Sequence, residues 1–182
     1  MDDSIDRSRD AADKIKSACD RSAKAISLRP SLGRGTGTSR ARVRRGLTVE
    51  VTEGAWTLTS DMPVQAGGDG SAPTPGVYGR AALGSCLAMG YAMQAAKAGI
   101  TFYSLEVEVQ ADYDDGSLYG VSRNPPGYTD VRYTVIIGSD APEEVLRRLV
   151  DEADAHSPYL DVFSRAQSCR GTLRIIPPED VR

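Results

Sequence analysis

The residues that decide the fold are 67–100, GGDGSAPTPGVYGRAALGSCLAMGYAMQAAKAGI. Up to Pro73 this stretch reads as a loop heavy in glycine and proline. Thr74-Pro75 then reads as a helix N-cap followed by proline at the first helical position, where its missing N–H would be unsatisfied anyway. The helix should run to about Ala98 and stop at Gly99. It holds Gly76, Gly79, Gly84 and Gly90, seven alanines and Ser85. Each glycine costs about 0.8–1 kcal/mol of helix propensity relative to alanine. Close packing can recover that cost, because small side chains let backbones approach. The composition therefore predicts a central, almost wholly buried helix. Its most apolar part, Ala81–Ala96, is too short to span a bilayer.

Cys86 lies on this helix. At about 100° per residue it shares a face with Gly79, Ala82, Leu83, Met89, Gly90 and Met93. One reading is a small buried hydrophobe, a common role for cysteine; the other is a reactive thiol. Cys86 sits about three turns inside the helix, beyond the reach of the N-terminal dipole, so reactivity requires a nearby cation. Arg80 lies about 120° away around the helix. An arginine from the Arg44-Arg45 turn is the better candidate.

Outward from this helix the chain reads as mixed structure. Residues 2–28 carry Ile5, Ala12, Ile15, Cys19 and Ile26 at helical spacing on a weakly apolar face that must dock on something. Pro30–Gly37 is a break. Ser39–Val43 and Leu47–Thr52 are strands flanking a turn at Arg44-Arg45-Gly46, and Trp56–Thr59 continues the meander. After the central helix come long strands over Phe102–Tyr113 and Asp130–Ile137. Asp140 with Glu143 reads as a capping box for the next helix. Ser157-Pro158 opens a short helix to about Ala166, and Gly171–Ile176 reads as a last strand. Strands, helix, strands, two helices and a strand make an α+β order. Residues 1–37 form a helical extension and linker, and 38–182 the domain proper.

Composition narrows the function. Net charge is −3 and pI near 5.2, which gives no global attraction to nucleic acid or an anionic membrane. The charge is uneven: residues 1–46 hold twelve Arg and Lys against six Asp. Arg40, Arg42, Arg44 and Arg45 could contact an anion or nucleic acid; they are read instead as a solvated strand edge, or as pairing with the acidic remainder of a partner subunit, since no aromatic residues interleave with them as a single-strand groove requires. Cys19, Cys86 and Cys169 are odd in number and widely spread, which argues against a disulfide framework and a zinc site. A single histidine, His156, excludes a His-based metal cluster within one chain, and no metal or cofactor is expected. His156 beside Ser157 is read as a helix-boundary residue, because adjacent side chains rarely face each other. The acidic, polar start MDDSIDRSRD is not a targeting peptide, and a cytoplasmic location is expected.

The run 67–100 resembles the signature of the OsmC/Ohr family, the osmotically inducible and organic-hydroperoxide-resistance proteins. That signature has a Gly-rich loop, an Asn-Pro or Thr-Pro, a small-residue helix, and a cysteine eleven residues after the proline, as Pro75 and Cys86 are. The similarity extends over about Arg40–Ile176, through the later strands and the AHSPY turn at 155–159. It implies an OsmC-like fold: an intertwined homodimer, small-residue-rich central helices wrapped by antiparallel sheets, and sites at the subunit interface. It also implies thiol peroxidase chemistry, in which a second cysteine before a proline closes a disulfide on the first.

Two departures follow from the same resemblance. Ser157 stands where that second cysteine is expected, and Gly76 where a glutamate often follows the Asn-Pro. The residues assigned to the site are therefore Cys86 as the reacting thiol, with Arg44, Arg45 and Ser157 as binding residues. Cys19 and Cys169 are read as packing or exposed residues. The leading reading is one-cysteine hydroperoxide reduction with an external thiol as reductant. The alternatives are a non-catalytic protein of the same fold, binding a small hydrophobic or thiol-bearing ligand at the dimer interface, and an interaction protein that docks through its basic arm and extra helix.

Overall fold

A computed structural model describes residues 2–177. Helix α1 (Asp2–Leu28) and a 3-10 turn (Pro30–Gly33) lead into a meander of β1 (Arg40–Arg45), β2 (Thr48–Glu53) and β3 (Trp56–Ser60). Helix α2 (Pro75–Ala98) follows, then β4 (Ser104–Asp112), the one-turn α3 (Asp115–Leu118), β5 (Asp130–Gly138), α4 (Glu143–Asp154) and α5 (Pro158–Ser164).

Helix α2 begins and ends where its sequence requires. Thr74 is extended, Pro75 occupies the first position, and Gly99 closes the helix at φ +69°, a conformation that costs glycine little. Leu83, Leu87, Tyr91 and Ala95, four residues apart, form its buried stripe, packed with Leu149 and Ala153 of α4. Strands β4 and β5 pair antiparallel from Ser104↔Gly138 to Asp112↔Asp130. Their inward residues, among them Leu105, Val107, Val109, Val131 and Val135, cover the same stripe. Gly84 makes this approach feasible, since a Cβ there would stand 3.2 Å from Val109 Cγ2.

The expectation of an almost wholly buried α2 is not met within one chain. Val77, Ala81, Ser85, Met89 and Met93 form a second i,i+4 stripe that is exposed, Met89 to 63%. Gly90 faces open space. The apolar residues on this side have no covering layer among the described residues. Helix α1 lies against α2, and between Asp10 and Leu28 only its Ala12, Ile15 and Cys19 are half-buried.

The β1–β2–β3 sheet projects from this body. Alternation puts Ala41, Val43, Val49, Val51 and Leu58 on one face and Arg40, Arg42, Glu50 and Thr57 on the other. All of β1 is exposed. A hollow of about 490 Å3 lies between the apolar face and the start of α2, bounded by Leu47, Val51, Leu58, Met62 and Tyr78. The following loop folds around Asp61, whose carboxylate accepts from the N–H groups of Met62, Asp69 and Ser71 and from the Ser71 hydroxyl.

Two further expectations are corrected. Among the described residues, 171–176 pair with no strand, and Leu173 and Ile175 stand 84% and 81% exposed. Alternating side chains alone make no strand where no sheet edge accepts the backbone. Asp140 does not cap α4. The extended Pro142 (ψ 144°) precedes the helix, and Ser139 Oγ accepts from the Ala141 N–H. Glu143 pairs with Arg147 one turn on.

Candidate functional site

Ser157 ends the α4–α5 corner and is the N-cap of α5, its Oγ accepting from the Leu160 N–H at 3.3 Å. Its own N–H donates to the Asp154 carbonyl at 3.1 Å. Pro158 takes the first helical position, a placement that loses no backbone bond. The corner brings Ser157, 7% exposed, to the middle of α2, where its Oγ lies 3.7 Å from Cys86 Sγ. Cys86 is half-buried and free, and Ser157 is its hydrogen-bonding neighbour among the described residues.

The corner is held from two sides. Asp154 accepts from Tyr91 Oη at 2.7 Å and from Tyr133 Oη at 2.6 Å, charge-assisted bonds that join α4 to α2 and β5. Burial, and then the bond to Asp154, push the Tyr133 phenol up to about 12 and raise Tyr91 as well. Both phenols are therefore neutral donors at ordinary pH. On the other side Phe163 of α5 stacks on Tyr128 at a centroid distance of 6.2 Å, and Tyr128 Oη donates to the Gly76 carbonyl at 3.0 Å. This clamp escaped the sequence reading. Its one signal there was a tyrosine on the apolar stripe of α2, whose hydroxyl must find a partner once buried.

Of the residues assigned from sequence, the structure brings Cys86 and Ser157 together; the expectation that Arg44 or Arg45 stands as the cation beside Cys86 is not met within one chain, where both arginines pair with carboxylates elsewhere. Arg44 pairs with Glu50 on the polar face of its own sheet. Arg45 reaches Asp69 at 2.6 Å. Arg80, half-buried, extends back along α2, with Nη1 3.4 Å from where a Cβ on Gly76 would sit. His156 is turned outward, its Nδ1 2.9 Å from the Glu152 carbonyl oxygen. Cys19 lies half-buried on α1, and Cys169 is exposed. Among the described residues no helix is long and apolar enough to cross a membrane, and no group of three or more His, Cys, Asp or Glu could hold a metal ion.

Chemically the arrangement offers one accessible thiol beside one buried hydroxyl. The thiolate is the nucleophilic form of cysteine. A serine hydroxyl can hydrogen-bond it but cannot form a disulfide with it.

Comparison with known proteins agrees with this architecture. The family model for OsmC-like protein matches residues 68–170. An OsmC-like protein from Mycoplasma pneumoniae superposes with a TM-score of 0.60 at 16% identity, over 71% of this chain and 87% of that one. An OsmC-like protein of unknown function from Vibrio cholerae gives 0.56 at 11% identity, over 71% and 94%. An organic hydroperoxide resistance protein OsmC from Legionella pneumophila gives 0.52 at 19%, over 71% and 90%. At these identities the structural likeness speaks to the fold. No curated protein matches the chain.

Proposed function

The chain belongs to the OsmC-like protein family, and from that premise we propose that Cys86 is the single reacting thiol of a homodimeric hydroperoxide reductase that an external thiol regenerates. The observation that carries this reading is the position of Cys86 Sγ, half-buried and 3.7 Å from a buried hydroxyl instead of a second thiol. The Legionella protein of the same fold is described as an organic hydroperoxide resistance protein, which favours an organic hydroperoxide as substrate. Exposed Met89 and Met93, one and two turns beyond Cys86, offer an apolar flank for its organic part.

The steps balance. The Cys86 thiolate attacks the terminal oxygen of ROOH; an S–O bond forms, the O–O bond breaks, and the leaving alkoxide takes a proton to become ROH. Sulfur is oxidised to a sulfenic acid and the peroxide is reduced. One external thiol, R′SH, condenses with the sulfenic acid to give Cys86–S–S–R′ and water. A second displaces R′SSR′ and returns the Cys86 thiol.

Support for the homodimer comes from surfaces left bare among the described residues: the α2 stripe with Met89 and Met93, the apolar face of the three-stranded sheet, and Leu173 and Ile175 in the tail. Contiguous apolar surface of this kind marks an interface, and a second copy lying on the α2 stripe would close the open side of the thiol.

The test is chemical. After treatment with cumene hydroperoxide, dimedone should add to Cys86, and peroxide should be consumed in proportion to added thiol. Cys86→Ser should abolish both. No adduct and no consumption by the native protein would refute the reading. It would leave the second one, binding of an apolar ligand, which the 490 Å3 hollow between the meander and α2 favours.

A further inference from the structure

We infer that Ser157 is a positioning residue that donates its hydroxyl proton to the Cys86 sulfur and holds it in the nucleophilic form, an inference that rests on the reading of Cys86 as the reacting thiol. Two contacts of the Ser157 hydroxyl allow it to donate. The Ser157 oxygen already accepts the Leu160 N–H at 3.3 Å, which holds the side chain as the α5 cap and leaves its O–H free to point elsewhere. Within its reach stands Cys86 Sγ at 3.7 Å, toward the long end for a bond to the large sulfur atom. In the thiol either atom can be the donor. Once the sulfur is ionised it can only accept, so the hydroxyl must give. A hydrogen bond to the charged form favours that form.

Burial sharpens the effect. Ser157 is 7% exposed, and where water is scarce a hydroxyl bond to an anion is stronger than in solvent. While α5 is wound the hydroxyl is held in place, because its own N–H is tied to the Asp154 carbonyl and the Asp154 carboxylate to two tyrosines. After oxidation the same donor faces the sulfenate, and having no sulfur it leaves that species for the external thiol. Ser157 thus sets how reactive Cys86 is and also keeps its oxidised form open.

The experiment uses the full chain carrying Cys19→Ser and Cys169→Ser, so that Cys86 is the only thiol, and follows alkylation by iodoacetamide against pH. Ser157→Gly removes the hydroxyl and remains a good N-cap, costing only a few tenths of a kcal/mol there, so the fold is kept. Alkylation near neutral pH should slow about three- to ten-fold, the size of one ordinary hydrogen bond, and the rise of rate with pH should move to higher pH. Ser157→Thr, which restores a hydroxyl, should return the rate to within about two-fold of the parent. Alkylation of Ser157→Gly at the parental rate with an unmoved profile would overturn the inference and reduce Ser157 to a helix cap. Because alkylation needs no peroxide, a slowed Ser157→Gly combined with a Cys86 inert to cumene hydroperoxide would sink the reductase reading alone.

Discussion

Replacing Ser157 by cysteine should turn the one-thiol site into a disulfide site. The two side-chain atoms are 3.7 Å apart across the α2–α5 contact, and a disulfide needs about 2.05 Å between sulfurs. Rotation of the two side chains, with the longer C–S bonds, covers the difference. The residues are 71 apart in sequence, so the cross-link removes about 4 kcal/mol of chain entropy from the unfolded state. Losing the serine cap costs about 1 kcal/mol, which leaves a net gain of about 3 kcal/mol. For a chain of this length that is about 6–12 °C in melting temperature. The assay compares melts with and without reductant in the Cys19→Ser, Cys169→Ser background after one treatment with cumene hydroperoxide, and mass spectrometry reads the loss of two hydrogens. The reduced variant should melt slightly below the parent and the oxidised one well above it. Two thiols that both remain alkylatable after oxidation, with no gain in melting temperature, would refute the placement of Ser157 opposite Cys86.

The clamp around Asp154 makes a further prediction: Tyr133→Phe or Tyr91→Phe should each cost about 1.5–3 kcal/mol in urea unfolding, the range for a bond to a charged group. Because Tyr133 is raised to about 12 in the fold against about 10 unfolded, its contribution is complete below pH 10 and is lost as pH rises toward 12. Tyr133→Phe should flatten that alkaline decline, which denaturation at stepped pH would reveal. Hydrogen bonds, first from the Ser71 N–H and then from its hydroxyl, hold Asp61 below the usual carboxylate range. Its contribution is therefore present above about pH 4 and lost on further acidification, so the protection of the Asp69 and Ser71 amides against exchange, relative to an unfolded chain at the same pH, should fall there and stay intact at neutral pH. Met89→Glu, on the exposed stripe of α2, should yield a folded monomer by sedimentation; an intact dimer would place the subunit contact elsewhere.

Much of the architecture was legible because short-range chemistry decides it. Thr74-Pro75 and Gly99 bracket α2 as written, and strict alternation marks β2, β4 and β5. The juxtaposition of Cys86 and Ser157 was legible only through resemblance to a family, since nothing in local spacing relates positions so far apart. Residues whose fate depends on distant partners were misread or missed. Leu173 and Ile175 alternate like a strand but lack a neighbouring backbone. Small residues on α2 promised burial on every side, yet one side stays uncovered among the described residues. Asp140 and Glu143 have the spacing of a capping box, but Pro142, extended at ψ 144°, delays the helix past it. The buried acceptor of the clamp, Asp154, looks in sequence like any acidic residue at the end of an amphipathic helix.

Helix α5 has seven residues, shorter than any helix that persists alone in water, and it is pinned by a serine cap at one end and a ring stack near the other. Fraying of such an element needs far less free energy than global unfolding. When it frays, the hydroxyl withdraws from the sulfur while α2 and the paired strands stay folded. With Cys86 as the proposed nucleophile, its reactivity is thereby coupled to this short helix and follows the fraction of time that the seven residues remain wound.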